Sequence, residues 1–290
     1  MTAIYKRELK SYFGGMIAYI VIALILAFVG FVSAIYNFFG GYPVFEVVFT
    51  EGYVVMAIIV AIALLTMRSF AEERKERTDQ LLYSLPLKMS SIVMGKYLAM
   101  LTVYLIPMLI MSLYPLVLSI FGEINFLQTY SSMLAQVLLG AALISIGMYL
   151  STLTDTQVVA AVMTMGAFLA LYFMPTIAST FFPVTERASF ICFIFFIGVI
   201  ALIVYALTRN VYFTFGTALV LEVVNLVIYL VRKDLYASAF PNMLEKVAIF
   251  NRFYDFVSGS FDVTAIVYFL SVTGVFVFLT TQSLENKRYK

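Results

Sequence analysis

The chain reads RSFAEERKERTDQLLYSLPLKMSSIVMGK from Arg68 to Lys96. The first half of this stretch is dense in charged residues, and hydrophobic runs lie on both sides of it. A charged side chain at the centre of a bilayer costs on the order of 2.5–3.5 kcal/mol, so charges avoid that depth. The stretch 68–96 is therefore predicted to lie in water, beside a membrane that the flanking runs cross.

The composition agrees with a membrane protein. Hydrophobic residues make up 63% of the 290 residues and charged residues only 12%, against roughly 25% charged in soluble domains. No polar stretch is long enough to fold separately, so a single transmembrane domain over residues 1–290 is predicted. The net charge of +2 gives no indication of nucleic-acid binding. The absence of His, with Cys192 as the single cysteine, excludes a metal site built from His and Cys.

An α-helix needs about 20 apolar residues to cross a bilayer. The runs that reach this length are 16–38, 91–120, 131–150, 157–182, 188–207, 211–230 and 263–284. A further run, 54–67, reaches it if the helix begins near Val44 and accepts Glu46 and Glu51 close to the interface. The predicted fold class is an all-α, polytopic integral membrane helix bundle with about eight crossings.

The basic residues predict the orientation of this bundle. With an even number of crossings both termini lie on one side, and the segments on that side hold 13 of the 18 Lys and Arg residues. Cytoplasmic loops are enriched in Lys and Arg. Both termini are therefore predicted to be cytoplasmic. The expected location is the cell membrane of a bacterium or archaeon. The stretch 231–262 is then an extracytoplasmic segment, which closes a gate or receives an accessory protein.

The start of the chain, residues 1–15, is predicted to be an amphipathic helix on the membrane surface. Its apolar side chains are expected to face lipid: Ile4, Tyr12 and Phe13. Its basic side chains are expected to face the headgroups: Lys6, Arg7 and Lys10. The alternative is that these charges act only as a topology signal.

The second half of the charged stretch has a different pattern. Thr78 or Asp79 is suited to cap a short helix, and Leu85-Pro86 ends it. The apolar residues between them form a patch: Leu81, Leu82 and Leu85. Such a helix with charged flanks is suited to dock into a groove on another protein. The alternative is a solvated loop that only sets topology.

Polar residues within the spans are the other candidates. Glu222 lies near the middle of the run 211–230 with Asn225 on the same helical face, where an acid marks an ion or proton pathway or a bond to a neighbouring helix. Asp155, between two runs, is predicted to cap the helix that follows. Small residues in the run 131–150 form a packing surface or line a substrate path: Gly140, Ala141, Ala142, Ser145 and Gly147.

Several of these stretches resemble the signature of ABC-2 type permeases. They are 4–13, 72–78, 81–87, 92–99 and 253–290, and the last resembles the gliding-motility-type branch of that family. The family has a Gly-Thr pair before its leucine-rich turn, whereas Arg77 precedes Thr78 here. The resemblance implies a six-span core like that of type V exporters. The runs within 188–230 are then a surplus pair, either an inserted hairpin or partly re-entrant segments.

The resemblance also implies partners. The chain would pair with a second permease subunit, as a homodimer or a heterodimer, and would be driven by separate ABC ATPase subunits. The turn 81–87 would be the coupling helix that receives the movement of the ATPase. The residues assigned to ATPase coupling are Glu72, Glu73, Arg74, Thr78, Leu81, Leu82, Leu85 and Pro86.

The sequence supports this separation of tasks. It contains no Gly-x-x-x-x-Gly-Lys-[Ser/Thr] motif, since Gly95-Lys96 is followed by Tyr97 and lacks the upstream glycine. The chain is therefore predicted not to be an enzyme and to bind no cofactor, with ATP and magnesium held by the partner ATPase.

The expected function is the permease subunit of an exporter that moves an amphipathic or lipid-linked substrate outward, because few charges lie within the spans. Two alternatives stay open. One is an ion-coupled secondary transporter that uses Glu222, and the other is a membrane scaffold of an ATP-driven mechanical complex.

Overall fold

The computed structural model describes residues 1–41, 44–78, 88–182, 185–208, 210–257 and 263–288, and every regular element within them is helical. The long helices are α1 Thr2–Gly14, α2 Ile17–Ser33, α3 Gly52–Met67, α5 Met89–Met111, α7 Phe126–Leu153, α8 Gln157–Phe181, α9 Glu186–Thr208, α10 Val211–Val231 and α13 Val263–Arg288. The short helices are α4 Ala71–Lys75, α6 Tyr114–Leu118, α11 Ala239–Val247 and α12 Ile249–Val257. A π-helix, Ala34–Phe39, and two 3-10 helices, Phe45–Phe49 and Lys233–Tyr236, complete the described elements.

The predicted all-α bundle of membrane helices is confirmed. Within the described residues, six helical segments are long and apolar enough to cross a membrane: Ile17–Phe39, Met89–Leu118, Phe126–Leu153, Gln157–Phe181, Val211–Val231 and Val263–Arg288. Of the other two predicted runs, 188–207 lies within the 23 residues of α9, and 54–67 lies within α3. At 16 residues, α3 is about 24 Å long, somewhat short of the roughly 30 Å hydrocarbon core.

The predicted start of the second span near Val44 is wrong. The chain forms a 3-10 helix at Phe45–Phe49, and α3 begins only at Gly52. The break leaves Glu46 buried in the protein, where its Oε2 accepts a 3.0 Å hydrogen bond from Thr129 Oγ1 of α7.

The chain divides into two compact units. The first comprises Met1–Ala170 and Arg252–Lys290, and the second comprises Leu171–Asn251, which includes the predicted surplus pair. In the first unit, α3 and α13 pack against α7, α2 packs against α3, and α1 lies along α5. The helix α7 is the most buried of the candidate spans, so it forms the centre of this unit.

Glycines let neighbouring helices approach α7 closely. A Cβ atom added at Gly140 would come within 2.2 Å of the Tyr104 ring on α5, and one at Gly147 would come within 2.5 Å of Thr66 Oγ1 on α3. With contacts this short, any side chain larger than hydrogen would force Tyr104 or Thr66 to shift. The small residues of α7 therefore form a packing surface, which confirms the first of the two predicted roles.

The start of the chain is helical, as predicted for residues 1–15, but two of the three side chains expected to face lipid are buried in the protein, Ile4 and Tyr12, while Phe13 is partly exposed. Ile4 is buried in a cluster with Met89 and Ile92, and the Tyr12 hydroxyl donates a 3.2 Å hydrogen bond to the carbonyl of Leu65. The prediction that Ile4 and Tyr12 face lipid is therefore wrong. Ile4 packs against α5 and Tyr12 contacts α3, whereas the basic side chains of α1 are exposed, as expected: Lys6, Arg7 and Lys10.

The second unit is held together by aromatic side chains. Its helices α9 and α10 pack against each other, and the rings of Phe190 and Tyr229 stack with centroids 4.4 Å apart. Tyr236 of the 3-10 helix meets Phe193 edge to face at 5.7 Å, and Phe193 meets Phe240 of α11 at 5.3 Å. These contacts place the 3-10 helix and α11 against α9.

Candidate functional site

The charged stretch forms the short helix α4, and Ser151 of α7 caps its N-terminus. The backbone amides of Phe70 and Ala71 each donate a 3.2 Å hydrogen bond to Ser151 Oγ. The first amides of a helix have no partner within the helix, so a side-chain oxygen usually satisfies them. Here that oxygen comes from a residue 80 positions later in the chain, so α4 is fixed to the end of α7.

The C-terminus of α4 is closed by its own backbone. The amide of Thr78 donates to the carbonyl of Glu73 at 2.9 Å, and the amide of Arg77 donates to the carbonyl of Arg74 at 3.0 Å. This pattern requires a left-handed residue just after the helix, and Arg77 supplies it with φ of 56°. A left-handed conformation costs a residue with a Cβ on the order of 1–2 kcal/mol, which is why glycine is preferred at this position.

A buried lysine lies beneath α4. Lys96 of α5 is 2% exposed, and its Nζ donates to the carbonyl of Ser69 and to Glu73 Oε1, both at 2.8 Å. Glu8 Oε1 of α1 lies 3.4 Å from the same nitrogen, and the Phe70 ring centroid lies 5.1 Å from it. A buried ammonium is tolerated only when it is paired and hydrogen-bonded, and Lys96 is both.

The same carboxylates hold α1. Arg7 Nη2 lies 2.6 Å from Glu8 Oε1 and 3.4 Å from Glu73 Oε1. The hydrogen bond to Glu8 raises the pKa of Arg7, and the charges of both carboxylates add to that effect. Tyr12, on the same helix, has a pKa raised by burial and, to a smaller extent, by the Glu8 carboxylate. The side chains of α1, α4 and α5 therefore form one connected network of charges.

Arg74 connects α4 to the C-terminus of α7. Its guanidinium donates to the carbonyls of Thr152 and, at 3.0 Å, Thr154, and Nη1 lies 3.4 Å from Asp155 Oδ1. Lys287 of α13 donates a 2.6 Å hydrogen bond from Nζ to the same Thr152 carbonyl. Cations at the C-terminus of a helix are favourable, because the last carbonyls carry negative partial charge.

The predicted ATPase-coupling residues fall into two groups. Glu72 pairs with Arg68, while Glu73 and Arg74 make the contacts described above, so all three are engaged within the subunit. Thr78 donates from its hydroxyl to the Glu73 carbonyl at 3.2 Å. The remaining residues lie outside the part of the chain that the structure describes: Leu81, Leu82, Leu85 and Pro86.

The family of the chain follows from a comparison with family models. Residues 48–287 match the model described as ABC-2 family transporter protein. The chain belongs to this family. It is therefore a multi-pass transmembrane subunit of an ABC transporter, and membership implies association with an ABC ATPase subunit. Membrane domains of this kind are generally not catalytic themselves. The searches of curated proteins and of solved structures returned no match.

Sequence reasoning missed several residues that organise this end of the ABC-2 protein. They are Glu8, Lys96, Ser151 and Lys287. The position of Lys96 in the sequence was a usable signal, because Lys96 is a single cation near the start of a predicted span. Ser151 gave none, since a serine at the end of an apolar run is ordinary.

The predicted cap at Asp155 is wrong. Asp155 is 89% exposed and approaches Arg74, whereas Thr156 Oγ1 accepts the 3.4 Å hydrogen bond from the amide of Val159 in the first turn of α8. Thr156 directly precedes the helix, so it occupies the position from which a side chain reaches the third helical amide.

The intramembrane pair of this ABC-2 protein lies in the second unit. Asn225 Nδ2 donates to Glu222 Oε2 at 3.4 Å, and the Tyr236 hydroxyl lies 2.5 Å from Asn225 Oδ1 and 2.9 Å from its carbonyl oxygen. The pKa of Tyr236 is raised by burial and by the Glu222 carboxylate. The bonds of Asn225 attach the 3-10 helix Lys233–Tyr236 to α10, and Glu222 bonds to Asn225 within its own helix.

Proposed function

We propose that this chain is the permease subunit of an ABC exporter. Separate ATPase subunits hydrolyse ATP, and their movement reaches the membrane helices through the stretch 68–96. The chain carries an amphipathic or lipid-linked substrate outward, with a second permease subunit forming the other half of the pathway. It binds no ATP or magnesium itself.

The observation that carries this proposal is the direct attachment of α4 to three other helices. Lys96 ties it to α5, Arg7 ties it to α1, and Ser151 and Thr152 tie it to α7. The Thr152 carbonyl is shared with Lys287 of α13. A force applied to α4 would therefore act on several helices of the first unit at once, which is the requirement for a segment that transmits the movement of an ATPase.

The same contacts support the proposed orientation. The N-terminal helix, α4, the connection 151–156 and the end of α13 all meet at one end of the first unit. This end carries most of the basic residues, so we assign it, together with both termini, to the cytoplasm. The segment 231–262 then lies outside, where an accessory protein would find it.

The substrate class rests on the low charge of the spans. Such helices suit a substrate that enters sideways from lipid.

The finer assignment to the gliding-motility-type branch rests on the resemblance of residues 253–290. Mechanical work outside the cell is the function that this branch would add. The rival role for Glu222 as an ion site receives less support, because its carboxylate bonds to Asn225 on its own helix.

The test is co-purification from native membranes in mild detergent. We expect an ABC ATPase to accompany the tagged wild-type chain and to be lost from the double variant Leu81→Asp, Leu82→Asp. A matched control places the same change on an exposed leucine outside this stretch, Leu235→Asp, and should retain the ATPase. Recovery of the wild-type chain without any ATPase would refute the proposal.

A further inference from the structure

Arg77 combines two properties that a purely structural residue does not need. It is exposed, and it occupies the left-handed position that closes α4, with φ of 56°. Glycine would complete the same hydrogen bonds without strain. Keeping a long, charged side chain at such a position indicates that the side chain itself is used, since strained residues concentrate at functional sites.

The Arg77 side chain is not used for contacts within the described part of the chain. No hydrogen bond or ion pair of its guanidinium occurs among residues 1–41, 44–78, 88–182, 185–208, 210–257 and 263–288. Two acids of α4 are already paired, Glu72 with Arg68 and Glu73 with Lys96. A helix of five residues has only a small dipole for a cation to neutralise.

We propose that Arg77 binds a carboxylate on the ATPase subunit. This inference rests on the proposed function and names one residue of its interface. Arg77 directly precedes Thr78 and the predicted coupling turn, so its guanidinium stands at the edge of the segment that would meet the ATPase. A guanidinium forms two parallel hydrogen bonds with one carboxylate, which fixes orientation as well as charge.

The neighbouring charges favour a protein surface over lipid headgroups. Lys75, Glu76 and Arg77 are all exposed and alternate in sign. Segments that bind anionic headgroups are clusters of one sign. A carboxylate on a protein partner can bind Arg77 even though its neighbours carry both signs of charge. Other charges on the partner can then pair with Glu76 and Lys75.

The test compares ATP hydrolysis in eluates of tagged wild type, Arg77→Gly and Arg77→Lys, purified from native membranes in mild detergent and normalised to the amount of tagged chain. Arg77→Gly removes the guanidinium and relieves the backbone, so its thermal unfolding temperature should equal or exceed that of wild type. Arg77→Lys keeps the charge and the strain. Lys246→Gln, which removes one exposed cation from α11, is the matched control.

We expect hydrolysis in the Arg77→Gly eluate to fall roughly tenfold or more, since a hydrogen bond to a charged group is lost. Arg77→Lys should retain an intermediate level and Lys246→Gln the full level. Full hydrolysis with Arg77→Gly overturns the inference, and loss with Leu81→Asp, Leu82→Asp in the same series shows that the proposed function still stands. A wild-type eluate without hydrolysis overturns both.

Discussion

Lys96 Nζ lies 2.8 Å from Glu73 Oε1, so the buried ammonium of α5 is neutralised by a carboxylate of the charged stretch that precedes it. The two side chains are 3% and 19% exposed. This pair joins the water-facing helix α4 to a membrane span at a point where neither charge has much access to solvent. Its strength therefore determines how firmly the charged stretch follows the span.

Replacing Lys96 should destabilise the protein strongly. Lys96→Met leaves Glu73 and Glu8 without their buried cation, a change that costs about 3–5 kcal/mol at buried pairs. We expect a large fall in the thermal unfolding temperature in detergent. Adding Glu73→Gln should restore part of it, because the uncompensated carboxylate is removed. An unchanged unfolding temperature in Lys96→Met would contradict the pairing.

Removing the cap on α4 should have a smaller effect. Ser151→Ala leaves the amides of Phe70 and Ala71 without their acceptor, which costs about 0.5–2 kcal/mol. Ser271→Ala is the matched control, because in the part of the chain that the structure describes the Ser271 hydroxyl bonds to its own helix, at the carbonyl of Val267. Thermal unfolding in detergent should show a lower unfolding temperature for Ser151→Ala than for Ser271→Ala. Equal unfolding temperatures of the two variants would show that Ser151 does not hold α4.

A methyl group at Gly140 should disrupt the contact between α5 and α7. The added Cβ would overlap the Tyr104 ring, and such overpacking costs about 1–3 kcal/mol. Gly274→Ala is the control on α13, where a Cβ meets nothing within 4 Å and the better helix former stabilises by up to about 1 kcal/mol. The two changes should shift the unfolding temperature in opposite directions, and shifts of the same sign would refute the close packing.

Tyr12 should contribute to stability in a pH-dependent way. Burial raises its pKa in the folded state above the value of about 10 in an unfolded chain, so the folded protein holds the phenol proton more tightly. The contribution is therefore complete below about pH 10 and declines as the pH rises beyond it. Tyr12→Phe should reduce the loss of stability between pH 10 and 11. Parallel curves of unfolding free energy against pH for wild type and Tyr12→Phe in that range would contradict a pH-dependent contribution from Tyr12.

The positions of the spans could be predicted because hydrocarbon thickness fixes how many apolar residues each crossing needs. The apolar face of α1 could not be assigned in this way, since Ile4 and Tyr12 are equally compatible with lipid and with a protein surface. Only the packing of α1 along α5 decides it. Gly95 shows the fit, because a Cβ there would lie 3.0 Å from Ile4 Cγ2.

The charged stretch stands out in the sequence, but its internal contacts could not be predicted. Its charges suggested free surface groups, whereas Glu73 and Arg74 bind residues from 23 to 81 positions away in the sequence. Those distances close only after the helices pack. Arg77 is the exception, because its departure from the glycine of the resembled family was visible in the sequence, and the structure places it in a left-handed conformation.

The assembly of this chain with an ATPase can be measured as the native mass of the complex released from membranes in mild detergent. We expect an assembly containing two permease subunits, at 32.6 kDa for each copy of this chain, together with ABC ATPase subunits. ATP and magnesium should be bound by the ATPase subunits. A species of 32.6 kDa alone, or only multiples of it, would show that the chain does not assemble with an ATPase.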